Sequence, residues 1–474
     1  MITLIRPHRF TGLVRVPASK SHTIRRLLIA ALSDGVSEIE HPLDSLDTRS
    51  CVSVCRALGA EIAEYNEKGE KIPRWVVRGI AAGRASGAAN LSAVRPIRCD
   101  VGNSGTTLFL GLAAAALGSE SVEFDGDEQI RGRSAGPLLD ALAGLGISVH
   151  SAPNGCVPIT IRGPWKGGRV SLSCPTSQYL SALLLTAPLA PSGVVTEIDV
   201  TLLNERPYIE MTLSYLDSQG IPYEAASDFS YFRIPGGSAW KPISGPVPAD
   251  FSSAAFPAAA AAITGGPVTL LGLDPDDTQG DKAFFAFLEK MGCYVNWEQV
   301  PLEQISLGQF ISSGLEAIGQ KALELSLAEW RLKVSRHGPL KGGVFDLNDT
   351  PDLLPALAAV VCFTSGGVQA DTALVNVAHA RIKETDRIAV MAEELGKLGF
   401  KTTERSDALV IHGGGLKQMG GQPGGNFKTD GRKDHRVVMA LACAALGCQA
   451  PVEIAGAEAA NVTYPGFLEL LTKL

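Results

Sequence analysis

Small polar clusters that open apolar helices are the residues with chemical potential in this chain, and the chemistry they suit is anion binding. Ser19-Lys20-Ser21 precedes an apolar helix with Arg25 one turn further on and a stop expected at Gly35. Free backbone N–H groups, hydroxyls and a lysine at one helix start together favour a phosphate or a carboxylate. Gly102-Asn103-Ser104-Gly105-Thr106-Thr107 opens a second such helix, and Gly105 lets a ligand approach the backbone. Such glycine-rich turns are common, so alone this one is weak evidence. Thr176-Ser177-Gln178 offers two hydroxyls and an amide, suited to a polyhydroxylated or phosphorylated ligand or to simple capping.

Charge sharpens the reading elsewhere. Arg131 and Arg133 precede a helix, where a solvated start would favour acids, so either can serve an anion. Asn348-Asp349-Thr350-Pro351-Asp352 is a helix start with two carboxylates and no cation; Asp349 suffices as a cap, which leaves Asp352 for other work. The densest charge cluster, Arg381-Ile382-Lys383-Glu384-Thr385-Asp386-Arg387, reads as an ion-paired solvated helix start or as part of a site. Asp44 and Asp47 are expected to cap the helix that follows them. Gln279-Gly280-Asp281 is a polar loop able to reach a site.

These starts are copies of one element. They fall near residues 20, 103, 176, 250, 350 and 434, each followed by an Ala/Leu-rich helix and a β-type run such as Val36-Ser-Glu-Ile or Val452-Glu-Ile; the fifth run is Val368-Gln-Ala. Except in the last copy, a second, amphipathic helix follows, ending near Gly59, Gly146, Gly220, Gly292 or Gly399. The unit is strand, buried helix, strand, surface helix, strand, an α/β pattern repeated six times, and three copies per half predict two similar domains. Residues 64 to 95 read as a hairpin and a loop, and Ile305 to His337 as a surface insertion with one helix near Leu323 to Trp330.

Bulk properties agree. At 474 residues the chain exceeds a single core, and 45% hydrophobic against 19% charged residues argues for large buried interiors. A net charge of -7 gives no support for nucleic-acid binding, so anions must meet locally placed cations. Nine scattered cysteines without zinc-type spacing suit reduced thiols. No signal-peptide pattern opens the chain, and its apolar runs fall short of a bilayer span, so a cytoplasmic protein without membrane partners is expected.

In order, the Lys20-Ser21 and Arg25 start, the Gly102 to Thr106 turn, Thr176-Ser177-Gln178, Arg381-x-Lys383-Glu384-Thr385-Asp386-Arg387 and Asp434-His435-Arg436 resemble the motifs of the 3-phosphoshikimate 1-carboxyvinyltransferases, members of the enolpyruvyl transferase family. The resemblance covers the chain apart from the insertion. It implies two similar domains of three β-α-β-α-β units each, with helices packed inside sheets (an inverse α/β barrel) and an active site in the interdomain cleft. Residues 19–249 would form one domain, and 1–18 plus 250–474 the other. It also implies transfer of an enolpyruvyl group from phosphoenolpyruvate to the 5-hydroxyl of shikimate 3-phosphate in chorismate and aromatic amino acid biosynthesis. The implied enzyme is a monomer with these two small-molecule partners, no cofactor and no metal.

Position by position, the resemblance assigns Asp352 as base, with Glu384 and Lys20 as proton donor and acceptor. Shikimate 3-phosphate would meet Lys20, Ser21, Arg25, Thr176, Ser177, Gln178, Asp352 and Lys383. Phosphoenolpyruvate would meet Lys20, Gly105, Arg133, Gln178, Arg387 and Arg436. Four residues depart from the family pattern: Phe109 and Val462 stand where many members have Arg and Lys, Glu205 where they have a small hydroxyl residue, and His379 where some have Asn. The sister enzymes acting on UDP-N-acetylglucosamine would show Lys-Asn at the first start and a Cys in the second loop; here Ser21 follows Lys20 and residues 126–136 hold no Cys. A non-catalytic anion-binding protein of the same fold would have no reason to keep Asp352 and Glu384.

Overall fold

The computed structural model describes residues 1–65, 73–80, 96–299, 330–365, 371–413 and 426–474. The chain divides into two compact units, Lys20–Val247 and a second made of Met1–Ser19 with Pro248–Leu474. Helices are numbered here along the chain. The first unit holds α1 (Lys20–Leu32), α2 (Leu46–Ala57), α3 (Gly105–Ala115), α4 (Gly136–Gly144), α5 (Gln178–Thr186) and α6 (Arg206–Gln219). The second holds α7 (Phe251–Thr264), α8 (Ala283–Lys290), α9 (Leu354–Val361), α10 (Arg387–Lys397), α11 (His435–Gly447) and α12 (Phe467–Lys473).

Among the described residues each unit carries three small sheets, and all but the sixth are four-stranded on one plan. In the second sheet, Ile97–Asp100 runs parallel to Val122–Asp125, which pairs antiparallel with Cys156–Arg162, and Ser148–Ala152 closes the edge. The parallel pair needs a crossover, and α3 supplies it; α4 links the next two strands. A crossover helix buried on every side must be apolar on every side, and every residue of α3 is buried, as are Phe251–Ile263 of α7 and His435–Leu446 of α11. Polar starts survive there because side chains cap the free amides: Ser104, Asp250 and Asp434 accept from Thr107, Ser252 and Arg436 N–H groups. No helix among the described residues is long and apolar enough to cross a membrane.

Three pairings depart from sequence order. Gly12–Arg15, the strand that leads toward α1, lies parallel to Val268–Leu271 in the fourth sheet, whereas the α1 sheet takes Ser244–Pro246 beside Val36–Glu40. The sixth sheet, Phe427–Asp430 with Val452–Ala455, is completed by Ile2–Ile5. Pairing partners more than two hundred residues apart cannot be read from local periodicity.

Three local expectations need correction. The insertion cannot extend to His337, because Trp330–Ser335 is an inner strand of the fourth sheet, between Tyr294–Gln299 and Val268–Leu271. Trp330 accordingly begins a strand, and the rest of the expected helix lies outside the described residues. Asp44 and Asp47 do not cap α2: Ser45 holds that position, its N–H donating to Thr48 Oγ1 at 3.0 Å, while both Asp side chains pair with cations. The first helix stops at Leu32 rather than running to Gly35, whose φ of 143° turns the chain into the next strand. The turn expected between Tyr65 and Lys71, the 81–95 loop and the Val368-Gln-Ala run also fall outside the described residues; the fifth strand is Thr372–Val375.

Alanine in α7 reflects close helix packing, since α7, α9 and α11 pack on one another and Ala254 to Ala262 are fully buried apart from a trace of Phe256. Ala259→Leu adds three carbons where no room exists and should destabilise the fold by about 1–3 kcal/mol, read as a lowered denaturation midpoint. An unchanged midpoint would mean that the interior of this unit is loosely packed.

Candidate active site

The candidate residues form one set in each unit. In the Lys20–Val247 unit, Lys20 is the first residue of α1, and its Nζ lies 3.2 Å from Asp47 Oδ2, with both side chains largely buried. Arg25, one turn on and 1% exposed, donates to Thr212 Oγ1 at 3.0 Å, Ser181 Oγ at 3.2 Å and the Ser21 carbonyl at 3.3 Å. Burial pulls the guanidinium down to about 10, against the opposing influence of Tyr215, Tyr208 and Glu205.

Gly105, Arg133 and Gln178 come together in this unit. A Cβ on Gly105 would stand 3.0 Å from Arg133 Nη1, a close approach that the arginine tip would have to yield to, and 3.7 Å from Gln178 Oε1, an ordinary contact. Arg133 donates to Asn103 Oδ1 at 2.9 Å, and Gln178 Nε2 to Thr106 Oγ1 at 2.9 Å. Arg131 instead pairs with Asp125 at 2.6 Å. Thr176 and Ser177 turn their hydroxyls to Glu205, at 3.1 and 2.8 Å.

In the other unit, Asp352, Lys383, Glu384, Arg387 and Arg436 form a single cluster. Arg387, fully buried at the start of α10, donates through Nη1 to Asp352 at 2.7 Å, through Nε to Asp434 at 2.8 Å and through Nη2 to Glu384. Arg436 Nη2 reaches the other Asp352 oxygen at 2.9 Å, and Lys383 Nζ stands 3.9 Å from Asp352. Arg381 and Asp386 do take the solvated role: they pair at 2.6 Å, and Asp386 caps α10. Inside one seven-residue run, then, alternate charges serve two different purposes.

Burial alone would raise the Asp352 carboxyl, but Arg436, Lys383 and Arg387 outweigh it and hold the group well below the usual carboxylate range. Asp281 lies under the opposite balance. It is 1% exposed; Ser252 donates to one of its oxygens, and the other oxygen, Oδ1, has no partner among the described residues. Burial, then the charge of Asp352, push it up to about 7 despite Arg436. Asp281, Asp434 and Asp47 are the members of these clusters that the sequence did not single out as site residues. Asp47 showed only as an acid next to a helix start, which capping explains equally well, Asp434 as part of the Asp434-His435-Arg436 motif, and Asp281 as the end of a polar loop. Among the described residues no group of three or more His, Cys, Asp or Glu side chains could hold a metal, and all nine cysteines are free.

Comparison with known proteins decides what these clusters belong to. The model of EPSP synthase (3-phosphoshikimate 1-carboxyvinyltransferase) matches residues 5–471. The chain belongs to the EPSP synthase family. It is 42% identical to the 3-phosphoshikimate 1-carboxyvinyltransferase of Acetivibrio thermocellus, covering 100% of this chain and 98% of that protein. With the enzyme of the same name from Halobacterium salinarum it shares 37% identity, over 100% of this chain and 99% of the relative. Among solved structures, EPSP synthase from Acinetobacter baumannii superposes with a TM-score of 0.73 at 23% identity, over 99% of this chain and 97% of that one. The enolpyruvyl transferase NikO from Streptomyces tendae gives 0.68 at 16%, over 100% and 97%. The fold is therefore that of the enolpyruvyl transferases.

Within the EPSP synthase framework the four departures have distinct surroundings. Phe109 is 4% exposed and packs edge-on against Tyr179, with ring centroids 4.9 Å apart, so an aromatic contact fills this position. Val462 ends a short 3₁₀ turn, His379 is buried in another, and Glu205 precedes α6 with φ 60°.

The raised Asp281 gives a stability test with a definite sign. Between its ordinary value of 3.8 and about 7, the folded chain keeps a proton that the unfolded chain has lost, so this group's contribution falls as pH rises through that window. Asp281→Asn removes the ionisation and keeps an acceptor for Ser252. Relative to the parent, the variant should gain about 1–3 kcal/mol between pH 5 and pH 8 in denaturant titrations. A pH-independent difference would show that Asp281 is ionised throughout.

Proposed function

We propose that this chain transfers the enolpyruvyl group of phosphoenolpyruvate to the 5-hydroxyl of shikimate 3-phosphate, giving 5-enolpyruvylshikimate 3-phosphate and inorganic phosphate. The observation that carries the reading is the Asp352, Lys383, Glu384, Arg387 and Arg436 cluster, assembled from three separate helix starts in a full-length member of the EPSP synthase family. The same reading takes the protein as a cytoplasmic monomer whose partners are its two small-molecule substrates.

In addition, the 5-hydroxyl oxygen bonds to C2 of phosphoenolpyruvate, its proton passes to a base, and C3 accepts a proton to become a methyl group. In elimination, the C2–O bond to phosphate breaks and a C3 proton leaves, restoring the methylene. Asp352 takes the hydroxyl proton, while Glu384 and Lys20 exchange the proton at C3. Arg133, Arg387 and Arg436 with Lys20 carry the charge of phosphoenolpyruvate and the departing phosphate, aided by close approach at Gly105 and by Gln178. Lys20, Ser21, Arg25, Thr176, Ser177, Gln178 and Lys383 hold shikimate 3-phosphate. A carboxylate flanked by three cations is always ionised but weakly basic. Substrate anions that engage Arg436 and Lys383 draw those charges away from Asp352, which strengthens it as a base at the moment both substrates are present.

Phosphate release with shikimate 3-phosphate, set against release with UDP-N-acetylglucosamine, separates this activity from that of the sister enzymes. Asp352 tests the mechanism. Asp352→Asn cannot accept the hydroxyl proton, so turnover should fall roughly 10²- to 10⁴-fold while shikimate 3-phosphate still binds. Near-parental turnover in a folded variant would remove Asp352 from the chemistry.

A further inference from the structure

Where the proposed reading puts the substrate's phosphate, this chain already holds an anion. Glu205 is 2% exposed, and its Oε2 accepts from Thr176 Oγ1 at 3.1 Å, Ser177 N at 3.0 Å and Ser177 Oγ at 2.8 Å. Those donors, two hydroxyls and a helix-start amide, are the set that suits a phosphate monoester. The charge of Glu205 also acts on Arg25, the buried cation of the same set, helping to keep it protonated. From this placement we infer that the Glu205 carboxylate is a resident anion in the phosphate subsite and sets how tightly phosphate-bearing acceptors bind.

The inference rests on the assignment of Thr176, Ser177 and Arg25 to shikimate 3-phosphate. An ionised carboxylate only accepts hydrogen bonds, so it gives a phosphate nothing and competes for the same donors. A phosphate dianion has three terminal oxygens and more charge, so it can take Thr176 and Ser177 from Glu205 and draw on the charge of Arg25, but only after displacing a satisfied, buried group. A small hydroxyl at residue 205 would impose no such competition. Glu205 thus acts on selectivity: it lowers affinity for the phosphate of the substrate without touching the ring hydroxyls or the reacting atoms.

Two variants test this. Glu205→Gln keeps length and an acceptor while removing the charge; Glu205→Ser supplies a small hydroxyl donor. Calorimetric affinities for shikimate 3-phosphate and for unphosphorylated shikimate should be compared on the full chain and both variants. The expected result is shikimate 3-phosphate binding tighter by about tenfold or more in both variants, the scale of relieving a like-charge contact, with shikimate changed by no more than about twofold. Unchanged or weaker shikimate 3-phosphate binding in the folded variants overturns the inference, as does an equal gain for shikimate. A parent enzyme that releases no phosphate with shikimate 3-phosphate, and variants that do not bind it, would overturn the functional reading and this inference together, an outcome distinct from active enzyme with unaltered affinity.

Discussion

A guanidinium with no exposed surface, surrounded by three carboxylates, is the constraint on which the Pro248–Leu474 part of the molecule turns. Arg387 cannot be neutralised by losing its proton: burial pulls it down, but Asp434, Glu384 and Asp352 together raise it above its ordinary value. It must therefore be paired, and pairing fixes geometry. The planar fork takes Asp434 along one edge and Asp352 and Glu384 at its tips, joining the starts of α9, α10 and α11 at one point. Asp434 also caps α11 through the Arg436 N–H, so the residue that anchors Arg387 aims Arg436 at Asp352. Positioning of the proposed base is thus a consequence of satisfying one buried cation.

The Lys20–Val247 unit solves a smaller version of the same problem. Each candidate cation has an internal acceptor: Lys20 has Asp47, Arg133 has Asn103, and Arg25 has hydroxyls and a carbonyl in place of a carboxylate. Burial lowers the ionisation of Arg25, whose hydrogen-bond acceptors are neutral, against the nearby Tyr215, Tyr208 and Glu205. Such a group gains most from an incoming dianion. Lys20, by contrast, already shares its charge with Asp47.

The repeat, the class of each helix and the helix starts were legible in the sequence because they are local: a polar cap, an apolar run and a stop within about fifteen residues. What escaped reading depends on distant partners. Asp47 looked like a cap because capping is the commonest use of an acid there, and only Lys20, 27 residues earlier, shows otherwise. Asp281 looked like part of a polar loop, yet Ser252 and the charge of Asp352 define it. Trp330–Ser335 was absorbed into an insertion because the residues before it carry no motif; its partners in the fourth sheet identify it as core. Glu205 was visible as a departure from a family pattern, but its meaning required seeing which hydroxyls it satisfies.

Charge balance in the Asp352 cluster explains why Asp281 holds its proton far above the usual carboxylate range. Arg387, Arg436 and Lys383 carry three positive charges; Asp352, Glu384 and Asp434 carry three negative ones. With Asp281 neutral these seven groups sum to zero, the least costly state for a desolvated cluster. Ionising Asp281 would leave a net negative charge facing any anionic ligand and would bring a second carboxylate under the influence of Arg436, which Asp352 already holds. A neutral Asp281 lets Arg436 and Lys383 be shared between Asp352 and an incoming phosphate or carboxylate, and so the cluster accepts added negative charge without repelling it.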